Sequence, residues 1–416
     1  MIKGNNDLEH VKEPMGALKG VRVIDLTRVL GGPACTQMLA DHGADVIKIE
    51  PPSGDETREW GPPFEKDENG DNIASSYFHG VNRNKRCIAL DLRTEEGKSI
   101  LLHLLESADV LVDNFKAGSM EKWGLGYDDV LKVKFPKLVH CQITGFGKDG
   151  PLGGYPGYDA AVQAMTGLFS INGAPDPDGG PTRIGIPVVD LGMGMNSVIG
   201  ICMALLERNN SGLGQSIDIT LYDSGLALQF PHAANWFMGG KRPKRVGNAH
   251  TNVAPYDLFP TKTKDLFIAI GNNGQFRKAM TILGKPEIAD DPRFDMNGGR
   301  IDNLPALTVI LTELLSEWDG AELNDKFLKG GVPSGLAQSV DEVISHPHTT
   351  HRKMVVEDGN YRGLAAPIKL SRTPATYRTK PAAYGANTED VLTEAGYSAS
   401  EIKALIQSGA VLTKRE

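Results

Sequence analysis

The chain has 416 residues, 40% of them apolar and 23% charged, the balance of an ordinary globular protein with ample core. Its formal net charge of −8 argues against a general nucleic-acid surface, which needs clustered positive charge. Four widely spaced cysteines, Cys35, Cys87, Cys141 and Cys202, form no CxxC pair, so no zinc knuckle or redox motif is encoded and a reducing cytoplasm is expected.

Residues 1–15 read as a polar tail without the apolar centre of a signal peptide. No apolar run approaches the ~18 residues of a membrane span. From residue 21, "VRVIDL" predicts a buried strand, "GGPACTQMLADHG" a helix with Pro33 in its first turn and Gly43 at its end, and "ADVIKIE" a second strand. That β-α-β unit implies parallel pairing with a right-handed crossover. The pattern repeats: "RCIALDL" as strand, "TEEGKSILLHLLES" as amphipathic helix with Thr94 as cap, then "ADVLVDNF" and "KLVHCQITGFG" as strands. The expected fold class is α/β, with a Rossmann-like large domain over 16–225 that closes on "GQSIDITLYDSGLALQF". Composition then shifts, and 226–334 reads as a small α+β domain. Residues 335–416 form a turn-rich return ending in a helix.

Several stretches support two readings each. The turn after the first strand, "TRVLGGPAC", lacks GxGxxG, so a nicotinamide or flavin dinucleotide site is not expected. Asp190, in "IPVVDLGMGMNSVIGICMALLER", is either a helix N-cap or a nucleophilic carboxylate beside glycines that let a substrate approach. "GNNGQF", residues 271–276, is either a strand-exit turn or a flap over a pocket. His346, His348 and His351 lack acidic or cysteine partners nearby, and Pro347 breaks any shared helical face, so a solvated loop is expected and no metal. "NRNKR" (82–86) and "KRPKR" (241–245) are solvated faces or phosphate holders.

Taken together, these segments resemble the class III CoA-transferases, the CaiB–BaiF or formyl-CoA transferase-like family. The resemblance runs from "LKGVRVIDLTRVLGGPACTQMLADHGADVIKIEPPSGDETREWGPPF" through "NRNKRCIALDL", "ADVLVDNFKAGSMEKWGLGYD" and "RIGIPVVDLGMGM" to "PYDLFPTKTKDLFIAIGNNGQF" and "DDPRF". It implies that Asp190 is the nucleophile. The residue would form a mixed anhydride with the acyl group of an acyl-CoA and then an aspartyl-CoA thioester, with no metal or redox cofactor. Val29 and Leu30 would border the thioester end of CoA; Asn114, Phe115 and Lys122 would hold its adenine and phosphate end. Where some relatives carry a CoA-touching arginine, this chain has Pro51; Arg83, Lys85 and Arg86 are substitutes on charge grounds only.

The resemblance also makes Gly271, Asn272, Asn273, Gly274 and Gln275 the active-site flap, stiffened where relatives have consecutive glycines. Phe146 stands where some relatives place a tyrosine. An interlocked-ring homodimer is implied, with each active site between one subunit's large domain and its partner's small domain. The expected substrates are small dicarboxylates with succinyl-CoA as donor, and Arg28, Arg183 or Arg245 could meet a second carboxylate. Neither nucleic acid nor membrane is expected as partner. The alternatives are an α-methylacyl-CoA racemase, which places histidine where Tyr158 precedes Asp159, and a non-catalytic acyl-CoA-binding paralogue.

Overall fold

The computed structural model describes residues 16–415. Its central sheet is built from β1 (Arg22–Asp25), β2 (Asp45–Glu50), β3 (Lys85–Ala89), β4 (Val110–Asp113), β5 (Val139–Thr144) and β6 (Ser216–Thr220). All pair in parallel, in the order β3-β2-β1-β4-β5-β6. Parallel strands covered on both faces need unbroken apolar runs, and Val23, Ile24, Val110, Leu111 and Val112 are fully buried. The chain winds outward from β1 to β3, then returns to β4 on the other side. The connections that follow β1 and β4 therefore run to opposite sides, and in such sheets a crevice opens at the strands' carboxyl ends.

Helix α1 (Gly31–Asp41) crosses from β1 to β2, and α2 (Glu95–Leu105) from β3 to β4. The predicted Thr94 cap is present, its hydroxyl accepting from the Gly97 N–H at 3.0 Å. Beyond β5 come α3 (Asp159–Met165) and α4 (Val188–Ser211), and beyond β6 comes α5 (Leu221–Ala227). Helix α4 corrects the reading of apolar runs: its 24 residues are long and apolar enough, by composition, to cross a membrane. Interspersed Gly, Asn and Ser residues hide it from a search for continuous runs. One face of α4 packs on α1, β5 and β6.

Two compact units make up the chain. The larger ends its first segment at Thr166, resumes over Gly185–Phe230 and takes the chain from Thr350 onward; the smaller comprises Gly167–Ile184 and Pro231–Thr349. The sequence reading places the small domain at 226–334 and keeps 167–184 in the large one. Those residues join the smaller unit because they bond to its 245–247 strip: Arg245 Nε donates to Ala174 O at 3.1 Å and the Gly247 N–H to Gly173 O at 3.2 Å.

The smaller unit holds α6 (His232–Gly239) and a three-stranded antiparallel sheet of β7 (Tyr256–Phe259), β8 (Leu266–Ala269) and β9 (Ser334–Leu336), ordered β9-β8-β7. Helices α7 (Asn273–Ile282), α8 (Leu304–Ser316) and α9 (Gly320–Gly330) share an apolar core with it that includes Phe259, Phe276, Leu307, Leu311 and Phe327. The histidine stretch is not a plain loop: Pro347–His351 forms a short helix. Among the described residues no histidine, cysteine or carboxylate cluster is arranged to hold a metal ion. The C-terminal α10 (Thr388–Glu394) and α11 (Ala399–Ser408) return to the larger unit, where Val391, Leu392, Ile402 and Val411 join the core around Ile24 and Leu111.

Candidate active site

At the carboxyl ends of β1 and β4 lies a cavity of about 280 Å³. It is lined by the β1 loop (Arg28–Gly31), the β4 loop (Asn114–Ala117), the β5 loop, Tyr155–Tyr158, and from α4 by Asp190 and Met193. The β1 and β4 loops are clasped to each other: Arg28 N–H donates to Asn114 Oδ1 at 3.0 Å and Asn114 Nδ2 donates to Arg28 O at 2.7 Å. Val29 follows in the left-handed region at φ 73°, where β-branched residues are rarely found.

Asp190 is not the helix cap. The N-cap of α4 is Pro187, and Asp190 lies within the first turn. Proline's side chain has no acceptor, so the exposed N–H groups need one from elsewhere. Asp159, the first residue of α3, supplies it: its Oδ2 accepts from the N–H of Val189 at 2.8 Å and of Asp190 at 3.1 Å. Its Oδ1 accepts from Gln163 Nε2 at 2.6 Å. With the cap provided by Asp159, the Asp190 carboxylate is left on the cavity wall. Sequence reasoning missed this pairing, which links residues 31 positions apart; the only available signal was an acidic residue opening a short helix.

Burial and the nearby charge of Asp159 push the Asp190 carboxyl up to about 7. Tyr77 stands near enough to the carboxylates of Asp190 and Asp159 that burial and their charge push its phenol up to about 12. The phenol therefore stays protonated throughout the range in which the carboxyl titrates. Tyr77 is a second group that sequence reasoning did not single out.

Glycine is required where α1 meets α4. A Cβ on Gly194 would sit 2.7 Å from Gly31 O, and one on Gly31 would sit 2.3 Å from Met193 Cε and 3.5 Å from Asp190 Oδ1. Backbone contact between these helix starts is what sets Asp190 against the β1 loop. The opening therefore combines an uncapped carboxylate, two helix N-termini and a cleft at the sheet's carboxyl edge. Such a carboxylate can attack an electrophilic carbonyl, while backbone N–H groups favour the negative charge that develops.

A second cavity, of about 430 Å³, shares Arg28, Asn114, Phe115 and Lys116 with the first. Its far side is made by Pro51, Pro52, Leu92, Arg93 and Trp123. Trp123 meets Phe115 edge-on, ring centres 5.0 Å apart.

The family model described as CoA-transferase family III matches residues 18–388. This chain belongs to CoA-transferase family III. The transferase is similar to the succinate–glutarate CoA-transferase of Agrobacterium fabrum, at 41% identity over 93% of this chain and 97% of the relative. It is also similar to the succinyl-CoA:glutarate CoA-transferase of Mus musculus, at 37% identity over 96% of this chain and 91% of the relative. Among solved structures it resembles a CAIB/BAIF family protein from Brucella suis, with TM-score 0.81 and 40% identity over 92% of this chain and all of that one. The alternatives that were not CoA-transferases fall away, and acyl-CoA is its substrate.

In the transferase, Val29, Leu30, Asn114 and Phe115 line the cavity that holds Asp190. Lys122 lines neither cavity and is exposed on the short helix Ser119–Lys122; Lys116 lines both. Arg83, Lys85 and Arg86 are held by acids: Arg83 by Asp41, Lys85 by Asp25, and Arg86 by Asp45 and Glu394. Arg28 lines both cavities and meets Glu56 at 3.4 Å, whereas Arg245 is paired with Asp176.

In the smaller unit, Gly271–Gln275 forms the start of α7. Asn272 is the N-cap, accepting from the Gln275 N–H at 2.9 Å, and Gln275 Oε1 accepts from the Gly271 N–H at 2.8 Å. Asn273 Oδ1 accepts from the buried Arg300 Nη2 at 2.8 Å. The stretch is thus a capped helix start, tied down by side chains that consecutive glycines would lack.

Proposed function

We propose that this protein moves CoA between small dicarboxylic acids, with succinyl-CoA as donor, through covalent intermediates on Asp190. The observation that carries the reading is the Asp190 carboxylate, which lines the cleft while Asp159 satisfies the helix end in its place.

The ionised carboxylate attacks the thioester carbonyl, expelling CoA thiolate and leaving a mixed anhydride. The thiolate attacks the aspartyl carbonyl, releasing the donor acid and forming the aspartyl-CoA thioester. The acceptor carboxylate attacks that carbonyl and expels the thiolate again. Attack of the thiolate on the acceptor's acyl carbon then yields the new acyl-CoA and restores Asp190. Each step exchanges one activated carbonyl for another, so the thioester free energy is retained, provided water stays out. We assign that exclusion to Gly271–Gln275, in line with the family resemblance. The thioester end of CoA lies by Val29 and Leu30, and its nucleotide end in the second cavity by Asn114, Phe115 and Trp123. Lys116, and not Lys122, is the better placed cation for its phosphates.

Glutarate and succinate, named for the relatives, carry a second carboxylate, and Arg28 on the cavity wall is its candidate partner. Among the described residues no histidine lines the cavity, and the position before Asp159, where a racemase has its imidazole, holds Tyr158.

The large unit is Rossmann-like in this reading, supported by its strand order. The working assembly is the interlocked-ring homodimer, supported by an apolar stripe of Met195, Ile199, Met203 and Leu206 exposed on α4. Cys35, Cys87, Cys141 and Cys202 are unpaired, in keeping with a cytoplasmic setting.

The test is trapping. Wild type incubated with succinyl-CoA and quenched with hydroxylamine should carry the hydroxamate on the peptide containing Asp190. Asp190→Ala should lose about a thousandfold or more in kcat. An Asp190→Ala variant that turns over at the wild-type rate would falsify the mechanism.

A further inference from the structure

Lys85 belongs to a basic run that could have met phosphate, yet its side chain is fully buried. Its Nζ donates to Asn82 Oδ1 at 2.8 Å, to Pro33 O at 2.9 Å and to Asp25 Oδ2 at 3.2 Å. Asp25 is buried too. Its Oδ2 also accepts from the Thr36 hydroxyl at 2.6 Å, and its Oδ1 from Thr27 N–H and Oγ1 at 2.8 and 2.6 Å. Beside this cluster, Lys48 Nζ donates to Thr27 O at 2.7 Å and to Asp55 Oδ2 at 3.0 Å, and the Val29 N–H points to Asp55 Oδ1 at 3.4 Å.

These bonds converge on a single turn, residues 27–33. Thr27 O is held by Lys48, both backbone groups of Arg28 by Asn114, Val29 N by Asp55, and Pro33 O by Lys85. Within that span Val29 adopts its left-handed φ of 73°, and Gly31 comes into contact with the start of α4. A backbone conformation that its own side chain disfavours persists only where its surroundings over-determine it. The buried ammonium groups supply that constraint at both ends of the turn.

We propose that Lys85 is a positioning residue for CoA transfer: from beneath the sheet edge it fixes the Pro33 carbonyl and Asp25, and so holds the 27–33 turn in register with Asp190. The proposal rests on the reading of Asp190 as nucleophile. It also accounts for the Asn-x-Asn-Lys stretch at 82–85, whose Asn82 orients the ammonium and whose Lys85 touches no cavity.

The arrangement has a proton requirement. Three acceptors face Nζ, and a neutral amine has two protons for them, leaving one acceptor unmet in a dry site. The groups facing Lys85 are Asp25 on β1, Lys48 on β2, Cys87 on its own strand and Cys35 on α1. Burial lowers Lys85 to about 8, with the Asp25 charge opposing and Lys48 assisting. Burial raises both thiols, so they stay neutral as Lys85 titrates. On this account kcat falls above about pH 8.

The experiment uses full-length protein with succinyl-CoA and glutarate. In Lys85→Met, kcat should drop about 10–100-fold, with KM for succinyl-CoA changed less than about threefold, the scale of a small misplacement of reacting groups. Hydrogen exchange of a peptide spanning 27–34 should quicken about tenfold or more, while the β5 peptide keeps its protection. Asn82→Asp sets a carboxylate against the ammonium and should move the alkaline limb of kcat up by about one pH unit or more. This variant decides the matter alone if Lys85→Met does not fold, because a purely structural lysine would not move the limb. Unchanged kcat or unchanged exchange in Lys85→Met overturns the proposal, as does an alkaline limb that is absent or that stays put in Asn82→Asp. Failure of the Asp190 reading looks different: wild type yields no trapped adduct, and the exchange measurement still reports on the turn.

Discussion

Asp190 and Asp159 are both carboxyl groups at one helix end, and Asp159 acts on Asp190 in two ways. Asp159 frees Asp190 by taking the N–H groups, and its charge makes Asp190 harder to ionise. The folded protein holds the Asp190 proton more tightly than the unfolded chain, whose aspartates titrate near ~3.9. This site therefore adds no stability difference below about pH 4. As pH rises from about 4 to about 7 it contributes a growing penalty, which persists above 7. Asp190→Asn should consequently unfold at higher urea than wild type at pH 8, by about 1–4 kcal/mol once water at the cavity mouth is allowed for, and match it at pH 4. Equal stabilities at pH 8 would contradict the shift. In the mechanism proposed above the Asp190 carboxylate acts ionised, so kcat should rise through about pH 7. Asp159→Asn, which keeps an acceptor oxygen but removes the charge, should move that acid limb downward. A limb unmoved in Asp159→Asn would show that burial alone sets it.

Which elements could be read from the chain follows from the range of the forces that form them. β1, α1 and β2 announce themselves through local apolar periodicity, and Thr94 through a cap made three residues away. Helix α4 does not: its start is satisfied by a carboxylate on α3, a tertiary bond invisible to spacing, so in the sequence Asp190 looks like the cap. Lys85 is equally hidden, since a basic run read in one dimension does not disclose that Arg83, Lys85 and Arg86 each meet an acid from another element. Asn114 and Phe115, which the family resemblance names, line the cavity together with Lys116, whereas Lys122, which it also names, lines neither cavity. The contact between α1 and α4 gives a test at this scale. In Gly194→Ala the new methyl meets a backbone carbonyl, Gly31 O, at 2.7 Å, which cannot swing aside as a side chain would. The helices should part, lowering stability by about 1–3 kcal/mol and reducing kcat, as followed by thermal melts and steady-state rates. A Gly194→Ala variant with unchanged kcat would show that this approach does not set the site.

For the whole molecule, the question raised by α4 is what covers its outer face. Met195, Ile199, Met203 and Leu206 are all about half exposed or more, at spacings of three to four residues that put them on one side of the helix. Phe230 in the same unit is 82% exposed, and in the smaller unit Phe237 and Met238 are 82% and 92% exposed. A monomer rarely leaves so many large apolar side chains in water. A second copy of the chain and a lipid bilayer would both remove them, but they predict different behaviour. A lone bilayer span faces lipid on every side, whereas α4 keeps one face on α1, β5 and β6. We therefore keep the dimer as the proposed cover. Ile199→Glu combined with Met203→Glu sets two carboxylates on the outer face while leaving the cavity lining untouched. Light scattering without detergent should find wild type at twice the chain mass and the double variant at the chain mass of 44.8 kDa, with helical content retained. If the double variant stayed dimeric, α4 would not be the contact. If wild type floated with vesicles and the variant did not, the stripe would be a membrane face instead.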